Sequence, residues 1–182
     1  MLAIPTPVGY LSVDNTSGTL MDDILTDFRH IIDRAGEHLS AISEEQSMTP
    51  PADGAWSAKE VLGHLIDSAA NNHQRFVQAQ LHDDLLFRPY DQDRWVEVQR
   101  YRDEPWGFLV QLWGLYNLHL LHVIEGMDED RLKEPRYEHN LDQLAWKPIS
   151  RSQAATLEYV VRDYVGHLEH HLAQIIPLRT SR

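Results

Sequence analysis

Four stretches of this sequence repeat apolar residues at the three- and four-residue spacing that places them on one face of a helix. The first stretch, for example, carries Phe28, Ile31, Ile32, Ala35 and Leu39. The four stretches cover residues 19–47, 57–81, 105–126 and 156–176. No stretch alternates apolar and polar residues as a half-buried strand would. The pattern therefore predicts an all-α fold, and specifically a four-helix bundle.

Two long connections separate the predicted helices, at residues 82–104 and 128–155. They leave room for a crossed topology, and we expect one short helix within the first of them. The loop between the first two helices is short, which predicts that these helices are antiparallel neighbours. Residues 1–18 read as an irregular N-terminal arm and residues 178–182 as a C-terminal tail, so the predicted bundle spans residues 19–177.

The second stretch opens with a clear helix-start signal. Ser57 and Glu60 have the Ser-x-x-Glu spacing of a capping box, in which each side chain bonds the backbone N–H of the other residue. Trp56 precedes the predicted cap, where an apolar side chain commonly packs back on the helix.

The composition bounds the class of protein. A length of 182 residues fits one domain, and a hydrophobic share of 42% is enough for a packed core. Lys and Arg number 16 against 28 Asp and Glu, and the resulting net charge of −12 repels a phosphate backbone. Neither a signal peptide nor a run of 18 apolar residues is apparent. We therefore expect a cytoplasmic protein that binds neither nucleic acid nor membranes.

The chain has 11 His and no Cys, so any metal site must use nitrogen and oxygen ligands. His167 and His171 are four residues apart, which puts both imidazoles on one helix face. Such a pair also arises by chance, and a catalytic metal needs a third ligand from another helix. His64 is the best candidate, because it borders the apolar face of the second helix. His119 is a reserve fourth ligand, although a hydrogen-bonded core histidine is its more ordinary interpretation.

Three separated motif blocks resemble the DinB superfamily, and within it the YfiT-like metal-dependent hydrolases related to bacillithiol transferases. The resemblance covers roughly residues 20–177. The blocks are Trp56-Ser57 leading to His64-Leu65-x-Asp67-Ser68-x-x-Asn71-x-x-x-Arg75-Phe76, then Arg88-Pro89-Tyr90-Asp91 followed by Trp95, and finally Thr156-Leu157-Glu158 through Tyr164-x-x-His167-x-x-x-His171. The resemblance implies a four-helix bundle of crossed topology and a homodimer. It also implies a divalent ion, Ni or Zn, held by His64, His167 and His171.

Four further residues are candidates for the site. Asp67 lies one turn beyond His64 and could orient a ligand histidine or act as a base; capping, or pairing with Arg75, is the alternative. Arg75 could bind a substrate carboxylate, or it could form a structural ion pair with Asp91 or Asp67. Tyr90 and Asp91 lie in the first long connection, where they could cover the pocket mouth or simply anchor the loop.

The leading hypothesis is a metal-dependent enzyme acting on a small molecule. An ion at a three-His site would activate water or a small thiol, which predicts a hydrolase or a low-molecular-weight-thiol S-transferase. Because the chain lacks Cys, the thiol would be a cosubstrate. The alternative is a non-catalytic metal-binding or stress-response bundle, whose site would be closed by a fourth protein ligand such as His119 or Asp67. A bundle with three unrelated core histidines is the plainest interpretation.

Overall fold

The computed structural model describes residues 20–176, and that range contains eight α-helices, one 3₁₀ turn and no β-strand. Four long helices form the bundle: α1 (Leu20–Ser40), α3 (Ala58–Leu81), α5 (Trp106–Glu125) and α8 (Leu157–Ile175). Short elements lie between them: α2 (Glu44–Met48), α4 (Gln92–Gln99), the 3₁₀ turn Tyr101–Asp103, α6 (Glu129–Lys133) and α7 (Leu141–Leu144). The all-α four-helix prediction is confirmed. The predicted arm, residues 1–18, and tail, residues 178–182, lie outside the described residues.

The bundle has a crossed topology. Around its axis the long helices follow the order α1, α5, α3, α8, because α1 and α3 each pack against both α5 and α8. The first two long helices are therefore diagonal partners, and the prediction that they are neighbours is wrong. The connection between them crosses the end of the bundle, and the connection from α5 to α8 crosses the other end.

The first predicted helix is in fact two helices. The backbone N–H of Ser43 donates to the side-chain oxygen of Gln46 at 2.9 Å, and the Ser43 hydroxyl accepts the N–H of Gln46 at 3.2 Å. This capping box starts α2, while α1 already ends at Ser40. The prediction of one continuous helix over residues 19–47 is wrong because Ser43-x-x-Gln46 is a second start signal inside the periodic stretch. The predicted capping box of Ser57 and Glu60 is present.

The two long connections brace each other. The backbone N–H of Leu85 bonds the carbonyl of Glu138 at 2.9 Å, and the buried Arg136 guanidinium donates to the Ala79 carbonyl at 2.7 Å. The first connection contains the short helix predicted for it, α4, whereas α6 and α7 in the second were not predicted. The bracing holds both connections against the space between α3 and α8.

Helix α5 has the length and mean hydropathy of a membrane-spanning helix, and 39% of its most apolar window is buried inside the bundle. The core helix of a globular protein passes the same test. Its inner side packs on α1 and α3, with Trp113 and Leu120 fully buried. Packing in the core thus accounts for the apolar residues on the inner side of α5, whereas the apolar residues on its outer side are exposed.

Candidate metal centre

The three predicted metal ligands come together between α3 and α8. Each histidine offers one ring nitrogen, and the three nitrogens all lie within 4.8 Å of one another. The Nε2 atoms of His64 and His167 are 3.3 Å apart. Two nitrogens at this distance can bind one ion, since metal–nitrogen bonds are about 2.0–2.1 Å long. Within residues 20–176, this is the one group of three or more such side chains that could hold a metal.

The surroundings keep these imidazoles uncharged. Burial, together with the neighbouring His171, lowers the pKa of His64 to about 4. Burial and the adjacent histidines lower the pKa of His167 to about 3, and burial also lowers the pKa of His171. A histidine must be neutral to bind a metal through nitrogen. At pH 7 the cluster therefore presents three free lone pairs.

Neighbouring side chains orient the rings. The Ser68 hydroxyl lies 3.4 Å from His167 Nδ1, and Gln174 Oε1 lies 3.3 Å from His171 Nδ1. Either bond leaves the Nε2 atom of that ring for a metal. The half-buried Trp56 ring packs 5.5 Å from the His64 ring, beyond the helix-packing role predicted for it. The role of Ser68 was not predicted, although its position four residues after His64 places it on the same face.

A cavity of about 440 Å³ opens beside the histidines. All three ligand candidates line it, as do Arg75 and Tyr90, two of the residues predicted for the site. Its remaining walls come from α3, α8 and the two braced connections, through Ser68, Asn72, Pro89, Gln92, Gln143, Leu144, Ala145, Trp146, Asp163 and Tyr164. The cavity is large enough to hold a small organic molecule beside the three histidines.

Arg75 makes neither of the ion pairs predicted as its structural alternative. Its guanidinium lies 5.8 Å from the centre of the Phe87 ring, and Nη1 is 3.5 Å from Asn72 Oδ1. Asp91 instead caps α4, where its carboxylate accepts the N–H of Arg94 at 3.2 Å. Tyr90 therefore lines the cavity, whereas Asp91 lies outside its lining.

Asp67 is buried on the side of α3 that faces the 3₁₀ turn. Its Oδ1 accepts a bond of 2.7 Å from the Tyr101 hydroxyl and one of 2.5 Å from Gln99 Nε2. Burial raises the pKa of this carboxyl, and its Oδ2 has no hydrogen-bond partner among the described residues. Asp67 is absent from the cavity lining, so its role as a base stays a prediction. Gly63 permits this packing, because a Cβ there would lie 2.1 Å from the Tyr101 ring.

The reserve ligand His119 lies elsewhere. It is exposed on α5, with its ring 4.9 Å from that of His73. The expectation that His119 points into the core is therefore wrong. The donor set at the cavity is three neutral nitrogens without a thiolate or carboxylate, and it suits a borderline divalent ion such as Zn or Ni.

The DinB superfamily profile matches residues 27–175, and the chain belongs to this superfamily. It is 27% identical over 141 residues to a Bacillus subtilis protein named "Putative metal-dependent hydrolase YfiT", covering 77% of this chain and 73% of that protein. A Geobacillus thermodenitrificans protein with the same description is 27% identical over 154 residues, covering 85% of this chain and 81% of that one. The resemblance seen in the motif blocks is confirmed.

Two solved structures share the fold. The B. subtilis YfiT structure, described as having an unusual four-helix bundle topology, matches with a TM-score of 0.70 and 22% identity, covering 91% of this chain and 89% of that one. A mycothiol-dependent maleylpyruvate isomerase matches with a TM-score of 0.66 and 11% identity, covering 89% of this chain and 63% of that one. Both likenesses support the crossed bundle.

Proposed function

We propose that this protein is a metal-dependent enzyme that holds a divalent ion, Ni or Zn, with His64, His167 and His171. The observation that carries the proposal is the convergence of three neutral imidazoles at the wall of a cavity large enough for a small substrate. A divalent ion bound there lowers the pKa of water or of a small thiol toward neutrality and so supplies a nucleophile.

The chain's own residues supply binding and orientation. Ser68 and Gln174 fix the ring positions of His167 and His171 through their Nδ1 atoms. The Trp56 ring packs against the His64 ring, and Tyr164 lines the cavity beside the histidines. Burial keeps His64 and His167 neutral, so that nitrogen lone pairs are available at physiological pH.

A closed, purely structural metal site is the less favoured function. Such a site needs a fourth protein ligand. His119 is exposed on α5, and Asp67 bonds Tyr101 and Gln99 instead of facing the histidines. An ion held by the three histidines would therefore have no fourth ligand from His119 or Asp67, and the histidines themselves line the cavity, as an enzyme requires.

The nucleophile is either water or a small thiol cosubstrate. The relatives named as metal-dependent hydrolases support water. The mycothiol-dependent isomerase of similar fold supports a thiol, which would be a cosubstrate because this chain has no Cys. A cavity of about 440 Å³ has room for either reaction's organic partner.

Metal analysis tests the site. The purified wild-type protein is expected to contain stoichiometric Ni or Zn, and His167→Ala little of either. His170→Ala is the matched control, since His170 neighbours the site on α8 but is exposed. Equal metal in wild type and His167→Ala would contradict the proposed ligand set.

A second assay separates the two chemistries. Metal-loaded protein is incubated with monochlorobimane and a panel of low-molecular-weight thiols, and in parallel with chromogenic esters and amides. Conjugation that needs a thiol, and that is lost in His167→Ala, supports an S-transferase. Metal-dependent cleavage without thiol supports a hydrolase. Stoichiometric metal with neither activity would favour the non-catalytic function.

A further inference from the structure

One positive charge faces the cavity that the histidines line. Among the described residues of that lining, Arg75 is the one Lys or Arg and Asp163 the one Asp or Glu. The overall chain has a net charge of −12, so a guanidinium directed into this cavity is a local exception. The arginine is half-buried, and its position against the Phe87 ring holds the guanidinium in place.

The guanidinium retains most of its hydrogen-bonding capacity. An arginine has five N–H donors, and Arg75 donates one long hydrogen bond, 3.5 Å from Nη1 to Asn72 Oδ1. Within residues 20–176, no carboxylate forms an ion pair with it at 4.0 Å or less. Asp163 lies within electrostatic reach of the guanidinium but accepts no hydrogen bond from it, so the N–H donors of Arg75 stay available to a ligand.

The acid in the same cavity is already committed. The two carboxylate oxygens of Asp163 accept the backbone N–H groups of Trp146 and Lys147, at 2.9 and 2.8 Å. Asp163 thus holds the second long connection against α8. Asp67, one of the two acids predicted to pair with Arg75, also bonds other side chains, those of Tyr101 and Gln99.

The space around Arg75 suits an anion. Burial raises the pKa of the neighbouring Tyr90 phenol to about 12, so its hydroxyl stays neutral and can donate a hydrogen bond. Arg75 and the three histidines line the same cavity. A molecule that occupies the cavity can therefore meet the histidines at one end and Arg75 at the other.

We propose that Arg75 binds a carboxylate of the molecule that reacts at the three histidines, with Tyr90 as a second donor, so that the substrate or the thiol cosubstrate is an organic acid. The planar guanidinium fork matches the two oxygens of a carboxylate. This inference rests on the proposed function, because it needs the reacting end of the ligand at the histidine cluster.

The test compares matched probes that differ only in the terminal group. Calorimetric titration of the Ni-loaded protein measures the Kd of 3-mercaptopropionate against 3-mercaptopropan-1-ol, and of 6-mercaptohexanoate against 6-mercaptohexan-1-ol. The thiol acid is expected to bind about tenfold or more tightly than its alcohol, as a charge-assisted bond would provide. Butyrate against butan-1-ol repeats the comparison without a thiol.

Variants assign the preference to Arg75. Arg75→Gln is expected to remove the preference for the acid while the protein keeps its nickel. Arg29→Gln is the control, because it removes an exposed arginine on α1, far from the cavity lining. A preference confined to the thiol pairs places the carboxylate on the cosubstrate, and a preference shown by butyrate as well places it on the substrate.

Two results would overturn the inference. The first is equal binding of acid and alcohol by the wild-type protein, a result that needs no variant and holds even if Arg75→Gln fails to fold. The second is an acid preference that survives in a folded Arg75→Gln. Failure of the proposed function gives a different result, namely a wild-type protein that retains neither nickel nor zinc.

Discussion

Burial keeps the rings of His64 and His167 neutral, as the proposed metal ligands must be. Their pKa values of about 4 and about 3 lie well below the ordinary value of 6.5. His64 is 1% exposed, so a protonated ring there would lose nearly all of its hydration. The unfolded chain has no such constraint, which links protonation of these residues to folding.

The metal-free protein is therefore expected to lose stability as the pH falls below about 6.5. Between that pH and about 4, the unfolded state binds protons at these histidines and the folded state does not. The loss approaches about 1.4 kcal/mol per pH unit for each histidine. Urea denaturation of EDTA-treated protein at pH 7, 6 and 5 measures it.

The matched variant for this measurement is His64→Gln, which removes one of the titrating groups and keeps the side-chain size similar. Its free energy of unfolding is expected to fall less steeply with decreasing pH than that of wild type. Parallel curves for the two proteins would show that His64 does not couple to folding. Groups away from the cluster titrate equally in both proteins and cancel, whereas the pKa of His167 also rises when the charge of His64 is removed, which adds to the expected difference.

The site illustrates what a sequence can supply at the scale of residues. The spacing of His167 and His171 and the motif around His64 were enough to predict the ligand cluster. The partners of Asp67 were not predictable, because Gln99 and Tyr101 belong to a connection whose path no local pattern specifies. That Arg75 and Tyr90 line one cavity was not predictable either. The path of the first connection, which carries Tyr90, depends on long-range bonds such as that between Leu85 and Glu138.

At the scale of elements, a buried lysine joins the start of α3 to the start of α5. The Lys59 ammonium group donates to the carbonyls of Arg102 and Glu104, at 3.1 and 2.5 Å, and pairs with Glu44 of α2. The other oxygen of Glu44 accepts the N–H of Trp106 at 2.8 Å. This set of bonds places the start of α5 beside the start of α3, so the two helices run parallel.

Lys59→Met is expected to destabilise the protein by about 2–4 kcal/mol, because it leaves two carbonyls without their donor. Urea denaturation measures the change. The control is Lys133→Met, since Lys133 forms a comparable pair with Glu129, four residues earlier, at the exposed surface. Surface pairs of this kind contribute little, so little change is expected there. A similar small effect of both variants would contradict the anchoring role of Lys59.

Helix periodicity predicted α3, α5 and α8 closely, but it missed the break between α1 and α2 and did not predict which helices are neighbours. The short loop predicts that the first two long helices lie side by side, yet residues 41–57 contain α2 and cross the bundle end. The choice between adjacent and diagonal packing depends on long-range contacts such as the bond from Trp106 Nε1 to the Leu39 carbonyl, 2.9 Å. Such contacts leave no periodic trace in the sequence.

At the scale of the whole molecule, the outer side of α5 is uncharged and apolar, although the protein as a whole is acidic. From Trp106 to Ile124 the helix contains no Asp, Glu, Lys or Arg, in a chain of net charge −12. Its outer surface exposes a stripe at helical spacing: Phe108, Leu112, Leu115 and Leu118. Contiguous apolar patches of this kind mark interaction surfaces. Two acidic chains can approach each other here with the least charge repulsion.

We therefore expect the chain to form a homodimer through the outer side of α5, in line with the dimer that the family resemblance implies. Light scattering after size exclusion should give twice the 21.1-kDa mass of the chain. Leu115→Glu places a carboxylate in the centre of the stripe, where Leu115 is 60% exposed, and should yield a folded monomer.

Val98→Glu is the control for this substitution, because Val98 is an exposed apolar residue on α4, 73% exposed, and lies off the stripe. It should remain a dimer. The histidine cluster lies between α3 and α8, so both variants should retain the metal content of wild type. A wild-type monomer, or a Leu115→Glu dimer as stable as wild type, would rule out the α5 stripe as the contact between two copies. In that case the exposed leucines would serve a partner of different sequence.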